Sequence, residues 1–502
     1  MKILGFSAGS HDSSYAIFED GRLVIHEELE RITRVKETEE DVLQYLEESG
    51  VDLDEFDYIV TYPHGNPIGY SQTYLNIQRK NPSKCVEIGH HLAHAANAFY
   101  NSKYDDSLVV TIDGGGWDNG RPGCLTSWQA DKDSIKNLDY RMSPNLGGFW
   151  QDCTREIFGL SGGGPPYGCQ AGTVMAMSCM ADESETPERP YSQYAGCSDQ
   201  RKYNLAQGIQ DVTENIVKEY IQKNLGENTN LCLAGGVVLN CVLTGKIKSW
   251  FPQIENVFIP PVPYDAGLAI GCVQYFLKEH LKKDLIINEL FDSPYLGASY
   301  GDEDIDNALL EFADKIETVE CSDLDVAKLL TEKNIISVYG GKSESGRRAL
   351  GNRSILADPR HEDMKDIINQ KVKHRQSFRP FAPSILREHV ADWFVEDIDS
   401  PYMSFAIPFK KEKAQLVPAV VHLDGTGRLQ TVTQSSNNWY YNFIKTFSSL
   451  TNVPIILNTS FNDREPIVET PSDAIKTFLK TDIDFLYFRE KNCLVKKKYI
   501  II

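Results

Sequence analysis

The sequence predicts an α/β fold: a strand-and-helix N-terminal part built from repeated units, followed by a second, arginine-rich domain. Short apolar runs of strand length end, three times over, in turns rich in glycine or hydroxyl side chains. Amphipathic helical stretches alternate with them, and beyond Leu281 the chain turns polar before arginines accumulate. Strand followed by a glycine-rich turn, used repeatedly, is how duplicated α/β folds surround a nucleotide.

The first unit runs from Ile3-Leu4-Gly5-Phe6 through a polar turn, Ser7 to Ser14, into Tyr15-Ala16-Ile17-Phe18. Asp20-Gly21 then turns the chain into Leu23-Val24-Ile25. The second starts at Leu108 to Ile112 and breaks into Asp113-Gly114-Gly115-Gly116. The third is Leu231 to Ala234, followed by Gly235-Gly236 and a helical segment through Asn240 and Lys246. Helical periodicity marks Glu39 to Glu48, Gln207 to Asn224 and Ala266 to Leu281. Lys282-Lys283-Asp284 and Asp292-Ser293-Pro294 place a domain boundary there, dividing the chain into 1–290 and 291–502. Past it come acidic amphipathic helices at Asp302 to Lys315 and Asp323 to Lys333, then the strand-like Ile335 to Tyr339.

A chain of 502 residues, 41% hydrophobic and 24% charged, is long enough for two or three domains with proper cores. Its formal net charge of −20 argues against sustained contact with a nucleic-acid backbone, but leaves room for small anions in local basic pockets. No apolar run spans a bilayer, and Met1 to Gly5 opens as a strand and not as a signal segment, so the expected location is the cytoplasm. The 11 cysteines include no Cys-x-x-Cys pair and read as reduced thiols.

His90 and His94 lie four residues apart in an alanine-rich helical segment, a spacing that puts both imidazoles on one face, within reach of one metal ion. The plain alternative is a pair of polar helix residues satisfied by hydrogen bonds. Asp113, at a strand-to-turn junction, and Asp265, in Pro263-Tyr264-Asp265-Ala266-Gly267, shift the balance toward a metal. Asp265 by itself would be an ordinary helix N-cap. A set of two histidines and two aspartates suits Fe²⁺, Mn²⁺ or Zn²⁺, and the spacing does not choose among them.

The segment Gly340 to Arg360 packs glycines and arginines directly after a strand. Arg348 and Arg353 offer planar forks that match phosphate or carboxylate oxygens two at a time. Downstream, Lys373-His374-Arg375-Gln376-Ser377-Phe378-Arg379-Pro380-Phe381 interleaves basic and aromatic residues. Asp424 to Gln430, with Arg428, is a turn entering a strand, and Asn458-Thr459-Ser460-Phe461-Asn462 follows the strand Val453 to Leu457. Each alone could be a solvated loop. Together they suggest convergence on one multiply charged ligand.

These motifs, in this order, resemble the NodU/CmcH-type O-carbamoyltransferases. The resemblance runs over almost the whole chain: His11 to Ser14, Glu30-Arg31 with Lys36, the His90/His94 segment, Asp113-Gly114, Ala234 to Cys241, Asp265 to Gly267, Arg348 to Ser354, Phe378 to Pro383 and Asn458 to Asn462. It implies an N-terminal actin-like domain of the actin and sugar-kinase (ASKHA) type, related to the tRNA threonylcarbamoyl transferases, and a C-terminal YrdC-like domain. The second would make carbamoyladenylate from carbamoyl phosphate and ATP; the first would pass the carbamoyl group to a hydroxyl of a small-molecule acceptor such as a sugar, an antibiotic or a hydroxymethylated nucleotide. By motif match, Arg348, Arg353, Lys373, Arg379, Arg428, Asn458 and Ser460 would hold carbamoyl phosphate and the ATP phosphates. His90, His94, Asp113 and Asp265 would hold a metal, with Fe²⁺ favoured, beside a nucleotide bound at Gly114, Gly115, Gly235, Gly236 and Asn240, with Mg²⁺ accompanying ATP. His11 would be the base for the acceptor hydroxyl and Lys36 its electrostatic partner; relatives often pair as homodimers.

Two rival readings stand beside this one. Transfer to tRNA adenine follows from the fold relationship, and the acidic balance opposes it. An actin-like ATPase module without transfer activity would not need the arginine-rich second domain. The chain also departs from the family pattern: Glu344-Ser345-Gly346-Arg347-Arg348 stands where Glu-Phe-Gly-Pro-Arg is usual, Ala171-Gly172-Thr173 where many relatives have Glu-Gly-Lys, and Thr244 where asparagine is common. The last two lie in the acceptor-binding domain and point to an unusual acceptor.

Overall fold

The computed structural model describes residues 1–8, 11–63, 71–160, 169–286 and 293–498, and the chain divides into two compact units, Met1–Pro294 and Tyr295–Ile502. The boundary expected after residue 290 and part of the Ser7–Ser14 turn lie outside the described residues.

In the first unit the apolar runs become two five-stranded sheets. The first contains β1 (Lys2–Ser7), β2 (Ser14–Glu19), β3 (Arg22–Glu28), β4 (Tyr58–Thr61) and β5 (Cys85–Glu87), in the order β3-β2-β1-β4-β5. The second contains β6 (Asp106–Asp118), β7 (Arg121–Asp131), β8 (Ile135–Arg141), β9 (Asn230–Ala234) and β10 (Asn256–Phe258), in the order β8-β7-β6-β9-β10. In each sheet the first strand in sequence runs antiparallel to the second and parallel to the fourth. The two sheets therefore share one topology, and the duplication inferred from the repeated turns is present in the backbone. Their central strands are largely apolar inside: Ile3, Leu4, Leu108, Val109, Leu231 and Leu233 are fully buried, in keeping with strands covered on both faces.

Helix ends differ from the periodic runs for local reasons. The first helix begins at Val42 because the Asp41 carboxylate accepts the Leu43 and Gln44 amides. The long helix begins at Asp199, earlier than its apolar stripe, because Ser198 caps it. Asp265 does not cap the helix that follows: it opens a 3₁₀ turn, Asp265–Gly267, whose N-cap is Tyr264, ahead of the helix Leu268–Tyr275.

The second unit is a nine-stranded mixed sheet. It contains β11 (Ile316–Glu320), β12 (Ile336–Tyr339), β13 (Arg353–Ala357), β14 (Ala382–Leu386), β15 (Phe405–Pro408), β16 (Thr426–Val432), β17 (Ile455–Ser460), β18 (Phe485–Phe488) and β19 (Cys493–Lys497). Their order is β11-β19-β18-β12-β13-β17-β14-β16-β15. Two segments read from sequence as loops are strand instead: Arg353 to Leu356 belongs to β13, and Asn458 to Ser460 completes β17. Polar side chains suggested a loop, but pairing on both sides, Leu356 to Asn458 and Asn458 to Ala382, holds this backbone extended. Because β17 is antiparallel to β13 and β14, and β14 is parallel to β16, the C-terminal end of β17 lies beside the N-terminal ends of β13, β14 and β16.

Candidate functional site

In the first unit, His90 and His94 occupy the helix His90–Tyr100, Asp113 interrupts β6 and Asp265 opens its 3₁₀ turn. One ligand atom from each of the four lies within 4.8 Å of all the others. The Nε2 of His94 is 3.0 Å from Oδ2 of Asp113 and 3.4 Å from Oδ1 of Asp265, and the Nε2 of His90 is 3.8 Å from that same Oδ1. All four are buried, His94 completely.

The register of β6 explains how Asp113 reaches inward. Ile112 pairs with Leu125 and Gly116 with Gly123, so three residues of β6 face one of β7, and the bulge turns Asp113 out of the ladder. Its Oδ1 accepts the Gly114 amide at 2.5 Å and its Oδ2 the Gly236 amide at 3.1 Å. A Cβ on Gly116 would lie 2.2 Å from the His90 ring, so this position admits glycine alone while His90 keeps its place. Asp265 is anchored through the next carbonyl, that of Ala266, which accepts Ser14 Oγ at 2.8 Å and pairs with His26 Nε2 at 3.0 Å.

The reading of His90 and His94 as ordinary polar helix residues requires hydrogen-bond partners. The Nε2 of His90 and both ring nitrogens of His94 are buried with none. The His94 contacts with the two aspartates are close yet out of hydrogen-bond alignment, as for donors directed at a common point. Metal bonds of about 2.0–2.2 Å place neighbouring ligands about 3.0–3.5 Å apart; the two His94 spacings fall in that range and the His90 spacing of 3.8 Å lies just beyond it, so the set suits one first-row divalent ion with mixed nitrogen and oxygen donors once His90 closes slightly. Without the ion, burial opposes charge on His94, but Asp113 and Asp265 more than offset it and raise its pKa to about 9. Burial, His94 and His91 hold His90 well below the usual histidine value, leaving a neutral lone pair.

The Nε2 of His11 approaches Asp265 Oδ2 to 3.9 Å, while its Nδ1 lies 2.9 Å from Asp12. Burial works against its charge, yet Asp12, Asp265 and Asp113 lift its pKa to about 10. Lys36 sits in the loop fastened beside this turn by the Ser13 amide donating to the Thr38 carbonyl at 3.1 Å. Gly114 and Gly115 are exposed on the bulge. Asn240 is nine-tenths buried and spends its side chain on the fold: Oδ1 caps Leu243 and Nδ2 donates to Gln210 at 2.7 Å. Thr173 is completely buried, its hydroxyl without a hydrogen bond.

In the second unit the converging strand ends gather the basic residues. Lys373 donates to Asn462 Oδ1 at 2.7 Å and to Ser460 Oγ at 3.3 Å. Arg379 is a half-buried guanidinium whose pKa is depressed to about 10 by burial and by the like charge of Arg428. Arg348 lies in a loop folded around Glu344, whose Oε1 accepts the amides of Leu350, Asn352 and Arg353 at 2.8, 2.8 and 3.1 Å. Gly351 in that loop has φ +118°, and a Cβ there would meet the Tyr440 ring at 2.5 Å. Arg353 differs from its neighbours. It is fully buried, donates to the carbonyls of Gly340 at 2.8 Å and Gly341 at 3.1 Å, and stacks 3.8 Å from the centre of the Tyr339 ring. Asn458 is likewise internal, donating to Gln430 Oε1 at 2.8 Å and the Ala349 carbonyl at 3.1 Å.

Sequence reasoning missed four positioning residues. Asp118 closes the N-terminus of the His90 helix; Glu344 folds the Arg348 loop; Gln430 ties Asn458 to the Leu350 carbonyl at 3.0 Å; Asn369 shapes the loop that carries Arg375 and Arg379. Asp118, five residues after Asp113 on a glycine-broken strand, was the one with a sequence signal.

The carbamoyltransferase N-terminus family model matches residues 174–273, and the carbamoyltransferase C-terminus model matches residues 327–497. Nodulation protein NolNO of Sinorhizobium fredii is 33% identical over 97% of this chain and 79% of its own length. An uncharacterized protein of Synechocystis is 32% identical over 96% and 95%, and nodulation protein NolO of Bradyrhizobium diazoefficiens is 32% identical over 80% and 77%. Among solved structures, HypF of T. kodakarensis aligns with 58% of this chain and 49% of its own at 13% identity and a TM-score of 0.38.

Proposed function

Since the chain belongs to the carbamoyltransferase family and is a carbamoyltransferase enzyme, we propose that it is an ATP-dependent O-carbamoyltransferase that proceeds through carbamoyladenylate. The second unit, read as a YrdC-like domain, makes the adenylate from carbamoyl phosphate and ATP. The first, read as an actin-like domain, passes the carbamoyl group to a hydroxyl of a small-molecule acceptor.

The observation that carries this reading is the collection of Lys373, Arg379, Arg428 and the Arg348 loop at one end of four adjacent strands. Carbamate is a poor electrophile because its leaving group would be oxide. Hydrolysis of carbamoyl phosphate first releases orthophosphate and carbamate; the carbamate oxygen then attacks the α-phosphorus of ATP, pyrophosphate leaves, and the new mixed anhydride has AMP as a stabilised leaving group. The attack brings anions together, so fixed guanidinium and ammonium groups offset their repulsion and the charge that develops. Arg348, Arg379 and Arg428 supply forks and Lys373 a point charge fixed by Ser460 and Asn462. Arg353 and Asn458 serve by shaping the turn and loop that present the others.

In the second step the acceptor oxygen attacks the carbamoyl carbon and AMP leaves. His11 is the proposed base for the hydroxyl proton, with Lys36 favouring the charge on the departing phosphate. His90, His94, Asp113 and Asp265 would hold a divalent metal, for which motif resemblance favours Fe²⁺. When bound, it supplies a positive charge for phosphate or acceptor oxygens, and it lowers the proton affinity of His11 toward that of a usable base. Gly114, Gly115, Gly235 and Gly236, lacking side chains, would let the nucleotide approach the backbone closely.

The test is purified protein with ATP, carbamoyl phosphate and a panel of alcohols, followed by mass spectrometry and pyrophosphate detection. Pyrophosphate, AMP and an acceptor heavier by one carbamoyl group are expected. ADP and orthophosphate as the sole nucleotide-derived products would overturn the proposal.

A further inference from the structure

The water that splits carbamoyl phosphate must lose a proton as it attacks the carbamoyl carbon, and a positioned base speeds the step by taking it. One candidate stands at the C-terminal end of β17. Lys373 is buried and donates to four oxygens there: the carbonyls of Ser460 at 2.5 Å and Asn462 at 2.8 Å, Ser460 Oγ at 3.3 Å and Asn462 Oδ1 at 2.7 Å. Arg464 Nη2 donates to the carbonyl of the next residue, His374, at 2.8 Å. The backbone of His374 is thereby pinned to the segment that leaves β17.

That pinning holds His374 at φ +43°, in the left-handed region that side chains seldom occupy. Such backbone persists where the surroundings over-determine it, and it gathers at functional sites. Here it aims the ring: Nδ1 lies 3.2 Å from Oδ1 of Asp463, whose Oδ2 is 3.8 Å from Lys480 Nζ. The ring contact is short but out of hydrogen-bond alignment, as pairs of this kind often are before a substrate orders them. A carboxylate facing Nδ1 keeps the proton on that nitrogen and leaves the lone pair on Nε2. Among the described residues no hydrogen bond or ion pair engages Nε2. The imidazole is 42% exposed and the Asp463 side chain 9%, so water reaches the ring while the acid behind it is shielded. An ordinary surface ion pair has no use for a left-handed backbone or a shielded acid. A second imidazole at this end of the sheet, His422, is closed off, with its Nε2 buried and its Nδ1 3.1 Å from Thr426 Oγ1.

We propose that His374 is the general base for hydrolysis of carbamoyl phosphate and that Asp463 is its positioning residue. This deepens the proposed function and rests on it. Nε2 takes a proton from water while the water oxygen bonds to the carbamoyl carbon. The bond from that carbon to the phosphate oxygen breaks, and its electron pair leaves with the phosphate. The proton then passes from Nε2 to the departing phosphate, so orthophosphate and carbamic acid form and the imidazole is regenerated. Carbamic acid ionises to the carbamate that attacks ATP. His374 thus acts before any adenylate chemistry.

Ammonium bicarbonate solutions contain carbamate, which bypasses the hydrolysis. Full-length wild type, His374→Gln and Asp463→Asn are each given ATP with carbamoyl phosphate or with ammonium bicarbonate, and pyrophosphate release is timed. With carbamoyl phosphate, kcat is expected to fall about 100-fold or more in His374→Gln and about tenfold in Asp463→Asn, with KM little changed. With carbamate, both variants are expected to stay within about threefold of wild type. A residue that only shapes the loop or holds an anion would depress both supplies alike. Less than about a fivefold loss with carbamoyl phosphate in His374→Gln overturns the proposal, as does an equal loss with both supplies. Should His374→Gln not fold, as its thermal melt will show, Asp463→Asn decides: no loss with carbamoyl phosphate, or the same loss with both supplies, overturns it. If wild type releases pyrophosphate from neither supply, the proposed function falls as well; if it does so from carbamate alone, adenylation stands and the role of His374 falls.

Discussion

The carboxylate of Asp118 receives the backbone amide of His91 at 3.1 Å on one oxygen, while its other oxygen receives the Leu92 amide at 3.1 Å. Asp118 ends β6, the strand that carries Asp113, so one buried side chain fastens the helix bearing two candidate ligands to the strand bearing a third. It also meets the positive end of the helix dipole and accepts the Tyr140 hydroxyl at 2.8 Å. Asp118→Asn keeps the shape but removes the charge and one acceptor. It is expected to lower stability by about 1–2 kcal/mol and metal affinity about 10- to 100-fold. Urea unfolding and competitive metal titration read the two; unchanged metal affinity would count against the clamp.

His94 sets a pH dependence for the metal-free protein. Its folded pKa of about 9 lies above the ordinary 6.5. The stabilisation from its charge is therefore complete below about pH 6.5 and is lost as pH rises through about 9. Relative to His94→Gln, metal-free protein should lose unfolding free energy across that window. Metal binding requires the neutral imidazole, so metal affinity should climb over the same range. Parallel unfolding and metal titrations between pH 6 and pH 10 check both; an affinity independent of pH would disprove the ligand role of His94.

Arg353 is the opposite of an available fork, because its Nη1 and Nη2 donate to the Gly340 and Gly341 carbonyls, while its buried Nε has no hydrogen-bond partner. Arg353→Lys cannot reproduce two directed donors, and leaving those carbonyls and a buried ammonium poorly matched is expected to cost about 3 kcal/mol. Pyrophosphate release should fall together with stability. A variant of wild-type stability that merely binds phosphate less well would show that Arg353 touches the ligand directly.

Thr173 stands where the family resemblance leads one to expect lysine, and its full burial with an unpartnered hydroxyl decides what substitution there does. Thr173→Val, close in shape, removes an unsatisfied polar group and should be neutral or stabilising by about 1 kcal/mol. Thr173→Lys must bury an ammonium or open the helix Ala171–Ser178, and should destabilise by about 2 kcal/mol or more while leaving pyrophosphate release intact and altering acceptor turnover. Thermal melts beside both half-reactions check this; a stable Thr173→Lys protein with unaltered acceptor turnover would remove Thr173 from any account of acceptor choice.

Much of the candidate site was legible before folding. An i, i+4 histidine pair fixes which helix face the imidazoles share, and aspartates at strand-to-turn junctions are aimed by backbone geometry over one or two residues. Asn458 was misplaced because a polar residue in a strand interior has the composition of a loop. Its hydrogen bonds to Ala349 and Gln430 come from residues 109 and 28 positions away.

From the chain alone came the α/β class, the repeated strand-and-glycine units, the four metal-binding candidates and the basic segments, since each is encoded within a dozen consecutive residues. Folding in three dimensions assigned what each basic residue does. Arg353 and Arg379 are the same side chain in similar sequence surroundings, yet sheet pairing closes one over its own turn carbonyls and leaves the other crowded by like charge. Local sequence specifies which functional groups a segment carries; only packing between segments decides which of those groups are already satisfied and which still need a ligand.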